Sequence, residues 1–173
     1  MAETLKVLEQ RRSCRAYKNE LIEEEKLQAI LRAGTYAATG MGKQSPIIIA
    51  ITNKELRDKL SGMNAAVMGA ASDPFYGAPE LLVVLADKAV PTHVYDGSLV
   101  MGNMMNAAAD LGVASCWIHR AKQVFESPEG KDILRSLGIE GDYEGIGNLI
   151  LGYAAAPANA PAPRKENYIY YAR

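Results

Sequence analysis

The sequence predicts one globular domain in which helices alternate with short strands. Its 173 residues suit a single hydrophobic core. Hydrophobic residues make up 49% of the chain and charged residues of both signs 23%, a composition that excludes a disordered or fibrous protein. Taken alone, the alternation of helix and strand patterns favours a parallel α/β sheet, but local pattern does not fix the direction of a strand.

The first part of the chain is predicted to hold three helices and one strand. Residues 2–12 have a helical pattern, and a second helix begins near Ile22 and ends before Gly40. The β-branched run over residues 45–52 predicts a buried strand. Asn53 then caps a third helix that runs towards Gly69.

The later elements follow from the same signals. Residues 81–86, 115–118 and 146–153 predict three more buried strands. A helix is predicted over residues 95–111, with Gly112 as its C-cap. Ser127 and Pro128 predict the start of another helix, which closes at Gly138.

Residues 154–173 are predicted to be an extended tail. The tail begins with an Ala/Pro-rich stretch, which cannot build a core of its own, and it ends in the aromatic run 168–171. Such an aromatic terminus is unusual for a free tail, so we expect it to pack on another subunit.

Charge and cysteine content exclude several classes of protein. Nineteen Lys and Arg residues against 20 Asp and Glu give a net charge of -1, which predicts neither a nucleic-acid partner nor an anionic membrane surface. The start lacks the apolar core of a secretion signal, and no apolar run reaches the roughly 18 residues of a membrane span, so a cytoplasmic protein is predicted. Cys14 and Cys116 are predicted to be reduced thiols.

No side-chain nucleophile and no metal site is predicted. The stretch 40–44 departs from a phosphate-binding P-loop, and the glycines over residues 145–152 lack the spacing of a dinucleotide fingerprint. His93 and His119 have no metal-ligand spacing around them, and the chain contains no Gly-x-Ser-x-Gly sequence.

Two basic clusters remain, one near each end of the chain. The first consists of Arg11, Arg12, Ser13 and Arg15, and the second of Arg164 and Lys165. Guanidinium groups and a serine hydroxyl together suit a terminal phosphate, although a solvated helix end and a polar tail explain the same residues.

Several segments, taken in order, resemble the nitroreductase family, flavoproteins that bind FMN and pass electrons from NADH or NADPH to small acceptors. Residues 11–17 resemble the family's Arg-Arg-Ser-x-Arg-x-Phe/Tyr opening. Residues 31–34 and 43–46 resemble its alanine-rich helix and the glutamine turn that follows. Residues 111–118 resemble its Leu-Gly-Leu-Gly-x-x-Trp-Ile segment. The ending matches as well, through residues 150–153 and the pair Arg164-Lys165.

The resemblance implies an α+β, three-layer fold with a mostly antiparallel central sheet flanked by helices. It implies one domain over residues 1–173 and a homodimer with FMN at the subunit interface, in which residues 154–173 pack on the partner. No residue is expected to be catalytic, because the flavin carries the chemistry. The implied FMN-binding residues are Arg11, Arg12, Ser13, Arg15, Gln44, Asn64, Ile118, His119, Arg120, Arg164 and Lys165.

Three functions stay open at this point. The first is an FMN-dependent NAD(P)H oxidoreductase acting on nitroaromatics or quinones. The second is a specialised flavoenzyme of the same fold, such as a reductive dehalogenase, and the third is a non-enzymatic protein that stores FMN or carries electrons. The choice between NADH and NADPH, the physiological acceptor, one- or two-electron transfer, and the roles of Cys14 and His119 are left open.

Overall fold

The computed structural model describes residues 3–173, which form six α-helices and four β-strands. The helices are α1 (Glu3–Gln10), α2 (Glu24–Thr35), α3 (Lys54–Met68), α4 (His93–Asp110), α5 (Ala121–Glu126) and α6 (Pro128–Ser136). The strands are β1 (Pro46–Ile51), β2 (Glu80–Asp87), β3 (Ala114–Ile118) and β4 (Tyr143–Gly152). None of the helices in this part of the chain is long and apolar enough to cross a membrane.

The four strands form one sheet in the order β1-β2-β4-β3, and every neighbouring pair is antiparallel. The parallel sheet that local pattern favours is therefore wrong, and the antiparallel sheet implied by the resemblance is confirmed. The reason lies in the connections. Ile51 at the end of β1 pairs with Leu81 at the start of β2, so α3 and the loop after it return the chain to the end of the sheet at which β1 finished.

Helices cover both faces of the sheet and give three layers. Along β2, Leu81, Val83 and Leu85 pack into a core shared with α3, α5 and α6. The alternate residues of β2 pack into a second core, formed with α2 and α4. This alternation follows from the period of two in a strand, and it explains why β2 is apolar at every position from 81 to 86 rather than alternately polar.

Most of the predicted elements are confirmed, with ends shifted by a few residues. Asn53 caps α3 by accepting a hydrogen bond from Leu56 N at 2.8 Å, and Ser127 caps α6 by accepting one from Gly130 N at 3.0 Å. Residue 2 of the first predicted helix lies outside the described residues.

The sequence did not predict α5. This helix has six residues, too few to show a helical period, and no side chain caps its start at Arg120.

The tail leaves the sheet after β4. Ala154 forms an antiparallel bridge with Tyr17, and the residues beyond it lie exposed. Tyr168, Ile169, Tyr170 and Tyr171 are between 68% and 82% exposed. The tail therefore presents an unusual amount of apolar surface.

Candidate functional site

The segment that follows α1 runs along the edge of the sheet. Ser13 forms a parallel bridge with Ser115 of β3, and Cys14 N donates a hydrogen bond to Ser115 O at 3.0 Å. Further on, Lys18 N donates to Tyr153 O at 2.8 Å, next to the bridge between Tyr17 and Ala154. These backbone bonds fix the position of the first basic cluster, because they hold the chain within the cluster and directly after it.

This segment lines a cavity of about 480 Å³ that the sequence-predicted residues Arg11, Arg12, Ser13 and Arg15 share. The other walls come from the end of α4, the start of β3 and residues 154–159 of the tail. Among the described residues, those that line it include three arginines and no carboxylate. The cavity therefore has a net positive lining.

Arg12 shows what this cavity can bind. One of its terminal nitrogens donates to Glu9 O and to Arg11 O, each at 2.7 Å. Its Nε is buried and has no hydrogen-bond partner among the described residues. Since a buried guanidinium N–H strongly favours a partner, and since a phosphate oxygen is a strong acceptor, the donors of this cavity fit a phosphate.

A second cavity, of about 340 Å³, adjoins the first through Arg15, which lines both. One wall is formed by residues 116–120, at the end of β3 and the turn after it. The opposite wall is formed by Met68 and by residues 72–76 without Phe75. Ile118, His119 and Arg120, which the sequence singles out, thus line a cavity that shares Arg15 with the basic cluster.

The turn at the end of β3 is held by a buried amide. Asn64 is fully buried, and its Nδ2 donates to His119 O at 2.8 Å. Its Oδ1 accepts a hydrogen bond from Arg120 Nε at 2.9 Å. Asn148 of β4 adds longer bonds to Ile118 O and His119 O, at 3.4 and 3.3 Å. Both polar atoms of the Asn64 side chain are thus engaged in shaping the turn, while the imidazole of His119 is exposed.

Backbone conformation adds to the shape of the turn. Arg120 has a φ of 77°, a left-handed conformation that is uncommon outside glycine. A residue keeps such a conformation only where the surrounding structure holds it. Here the side-chain hydrogen bonds from α3 and β4 hold the turn. The turn is therefore preorganised as a wall of the second cavity.

The opposite wall is held by Asp73, which the sequence did not single out. The carboxylate of Asp73 accepts hydrogen bonds from Arg57 at 2.7 Å, from Ser61, and from the backbone N–H groups of Phe75 and Gly77, both at 2.8 Å. Asp followed by Pro74 is a turn signal that points to this role.

The loop that contains Asp73 also carries Tyr76, an aromatic residue that lines the second cavity. Phe75 is fully buried, whereas the neighbouring Tyr76 is 42% exposed and has a φ of 53°. Asp73 sets this alternation, since it bonds the backbone on both sides of Tyr76.

Gln44 lies away from both cavities, on a turn held by Asp96. The Asp96 carboxylate is 2% exposed and accepts from Gly40 N at 3.0 Å and from Ser45 Oγ at 2.8 Å. Gln44 itself lines a separate hollow of about 420 Å³ between α2 and β1. A single chain therefore does not bring Gln44 to the arginines.

Arg164 and Lys165 also lie outside the lining of the two cavities. The guanidinium of Arg164 donates to Ala162 O, two residues earlier in the tail, at 2.6 and 3.3 Å. The two basic clusters predicted from the sequence are thus separate within one chain.

Two residues that shape these turns were not predicted from the sequence, but they share a recognisable sequence feature. Asp96 and Asn148 are polar residues in otherwise apolar stretches of α4 and β4, and both are 2% exposed. Buried polar groups in such stretches are hydrogen-bonded and often fix a local shape. For the described residues, no group of three or more His, Cys, Asp or Glu side chains could hold a metal ion.

Comparison with known proteins agrees with this arrangement. A family model described as the nitroreductase family matches residues 8–153. A protein of Archaeoglobus fulgidus named "Putative NADH dehydrogenase/NAD(P)H nitroreductase" is 30% identical over 159 residues, which are 88% of this chain and 86% of that protein.

Two solved structures match the whole chain. A nitroreductase with bound FMN from Bacteroides fragilis has a TM-score of 0.91 and 28% identity, with 100% of each chain covered. Another nitroreductase with bound FMN, from Desulfitobacterium hafniense, has a TM-score of 0.90 and 29% identity at the same coverage. The matched residues include the basic segment, both walls of the second cavity and the entire sheet, and the chain belongs to the nitroreductase family.

Proposed function

We propose that this chain is an FMN-dependent oxidoreductase that passes electrons from NADH or NADPH to small acceptors such as nitroaromatics or quinones. The observation that carries the proposal is the pair of adjoining cavities that share Arg15. One is lined by arginines and suits a phosphate, and the other is walled by a fixed turn and an aromatic residue. The relatives with bound FMN support the same cofactor.

Each cavity suits a different part of FMN. In the first, Arg11, Arg12 and Ser13 would hold the phosphate, because guanidinium and hydroxyl donors complement its oxygens. In the second, the backbone and side chains of residues 118–120 would lie against the ring system. Arg15 lies where the two cavities meet and would serve both.

Bound FMN supplies the redox chemistry, and the chain supplies position and charge. Arg15 provides a fixed positive charge that would offset negative charge on the nearby ring. Asn64 and Asp73 hold the two walls of the second cavity, so the space between them needs no rearrangement to receive a planar group.

We infer further that the active form is a homodimer with the tail packed on the partner. Besides the buried Asn64, which lines neither cavity, three of the sequence-predicted residues lie outside both cavities of their own chain, namely Gln44, Arg164 and Lys165. From Ala154 to Arg164 the tail has a reach of roughly 33 Å at full extension, enough to cross onto a neighbouring subunit. A second copy would cover the exposed aromatic terminus and bring these three residues to its own cofactor site.

The test of this function uses the purified full-length protein. We expect a yellow protein with FMN absorbance that oxidises NADH or NADPH when a nitroaromatic or a quinone is present. Arg11→Ala should weaken FMN retention at least tenfold, with little change in the urea midpoint of unfolding. Arg135→Ala, at an exposed ion pair with Asp132 on α6, is the control and should retain FMN normally.

Two results would contradict the proposal in different ways. A colourless protein that takes up no FMN would contradict the cofactor itself. Bound FMN that neither NADH nor NADPH reduces would instead indicate storage or an electron carrier, while turnover restricted to a halogenated substrate would indicate a specialised enzyme of the same fold.

A further inference from the structure

We propose that Cys14 and Cys116 are a redox-active thiol pair that closes reversibly to a disulfide beside the arginine-lined cavity. The two residues are 102 positions apart in the sequence. Both are free thiols in this structure. The proposal depends on how the first basic segment lies against β3.

The backbone pairing of the neighbouring residues puts the two cysteines in register with each other. Ser13 and Ser115 are partners in a parallel bridge, and Cys14 N donates to Ser115 O at 3.0 Å. The next residue along each segment is a cysteine. Neighbouring strands lie about 4.8 Å apart, and a disulfide spans Cα separations of about 4.4–6.8 Å, so this register suits a bridge between the two segments.

The side chains of the two cysteines also lie on the same side of the sheet. Along β3, Trp117 packs into the core with α2 and α4, whereas Cys116 and Ile118 pack into the core with α3, α5 and α6. In a parallel pairing Cys14 shares the face of Cys116, because successive residues alternate in both segments.

The contacts of Tyr17 support the placement of Cys14 and Cys116 on the same face of the sheet. Its ring packs on the same core as Cys116, and its hydroxyl donates to Cys14 O at 3.0 Å. Burial raises the pKa of the Tyr17 hydroxyl, and the neighbouring Cys14 and Cys116 raise it further.

The two thiols differ in access, which sets the order of reaction. Cys14 is half-buried and lines the cavity of about 480 Å³, whereas Cys116 lines the second cavity but is only 2% exposed. A small disulfide, RSSR, would thus react first at Cys14, forming the mixed disulfide and releasing one RSH. The Cys116 sulfur then attacks the Cys14 sulfur and releases the second RSH, so two electrons and two protons pass from the cysteines to the two RSH molecules.

Forming this disulfide would hold the basic segment more firmly against β3. Cys14 lies between Ser13 and Arg15, so a disulfide would tie the basic segment to β3 by a covalent bond in addition to its backbone pairing. It would also close a loop of about 100 residues, which restricts the unfolded chain and stabilises the folded one. We therefore expect the oxidised protein to unfold at a higher urea concentration than the reduced protein.

The experiment treats the purified full-length protein with cystamine, blocks free thiols with iodoacetamide, and digests it with trypsin without a reductant. Trypsin cleaves after Arg12, Arg15, Lys88 and Arg120. The expected product is residues 13–15 joined to residues 89–120, lost on treatment with dithiothreitol and accompanied by a higher urea midpoint.

Cys14→Ser and Cys116→Ser are the matched variants, and each should abolish both the joined peptide and the shift in urea midpoint. If Cys116→Ser fails to fold, Cys14→Ser alone suffices, because it alters a half-buried position. Two alkylated cysteines after cystamine treatment, or a stable cysteamine adduct on Cys14 with Cys116 alkylated, would overturn the proposal. A joined peptide with an unchanged urea midpoint would show that the disulfide does not stabilise the fold.

Discussion

Asn64 holds Arg120 in place, with Arg120 Nε donating a hydrogen bond to Asn64 Oδ1 at 2.9 Å. The same amide donates to His119 O at 2.8 Å, so one buried side chain from α3 ties down two successive residues of the turn after β3. The family resemblance implies that Asn64 lies near the flavin. The structure adds that both of its polar atoms act on the turn, which makes it a positioning residue for that wall of the cavity.

Replacing Asn64 should therefore loosen the turn as well as the fold. In Asn64→Leu, Arg120 Nε loses its acceptor and His119 O keeps only the longer bond from Asn148, for an expected loss of about 1–3 kcal/mol in the free energy of unfolding. Urea denaturation measures this loss, and FMN fluorescence should show weaker retention. Asn19→Ala, on an exposed loop, is the control and should change stability by less than about 0.5 kcal/mol. Unchanged stability and FMN retention in Asn64→Leu would contradict the positioning role.

The Asp73 loop makes stability depend on acid pH. Partial burial raises the pKa of the Asp73 carboxyl, but hydrogen bonds from Ser61, from Arg57 and from two backbone N–H groups outweigh burial and lower the pKa to about 2. A carboxyl with a lowered pKa in the folded state contributes stability above its unfolded value of 3.8, and the contribution is lost as pH falls towards about 2.

Asp73→Asn tests this dependence. At pH 7 the variant should be less stable than the original protein by about 1–2 kcal/mol, since it loses charge-assisted hydrogen bonds at a partly exposed site. The difference should shrink as pH falls from about 4 to about 2, as measured by urea midpoints at each pH. Asp132→Asn, at an exposed ion pair, should show a much smaller difference at pH 7. A stability gap that stays constant across this range would contradict the assignment.

Two glycines should respond to alanine in opposite directions. A Cβ at Gly145 of β4 would come within 2.4 Å of the Ala121 carbonyl, which is backbone and cannot move aside cheaply. We expect Gly145→Ala to lower the free energy of unfolding by about 1–3 kcal/mol. At Gly62, in the middle of α3, a Cβ meets nothing within 4 Å, so Gly62→Ala should raise stability by about 0.5–1 kcal/mol. Thermal or urea unfolding of both variants measures these changes in stability. Equal changes in the two variants would contradict the close approach of α5 to β4.

The tail should matter for assembly more than for the fold of one chain. Residues beyond Ala158 lie exposed, and they include the four apolar and aromatic residues of the terminus. A chain truncated after Ala158 should keep its circular dichroism spectrum but lose dimerisation or FMN. Sedimentation velocity and FMN absorbance measure the two outcomes. A truncated chain that stays a dimer with a full complement of FMN would show that the tail contributes to neither.

The basic segment was predictable from the sequence because its function depends on local chemistry. Three arginines and a serine within five positions suit a phosphate but also a solvated helix end, and the resemblance to a known family favoured phosphate and supplied the cofactor. The strands were predictable too, since apolar β-branched runs bury themselves whatever their neighbours are. The short helix α5 was missed because six residues cannot show a period.

Strand direction and the clustering of distant residues were decided by the tertiary structure. Local pattern favours a parallel sheet. The connections between the strands instead make every neighbouring pair antiparallel. Likewise, the meeting of Asn64 with Arg120, or of Ser13 with Ser115, depends on which strands and helices are neighbours.

The sequence by itself therefore predicted one basic segment suited to phosphate, most of the strands and helices, and no recognisable side-chain nucleophile. Only the tertiary structure decided how that segment pairs with β3 and how Arg15 comes to lie between two cavities. The physical reason is that propensity and charge are properties of neighbours in the chain, while a binding site is formed by long-range packing that brings distant segments together.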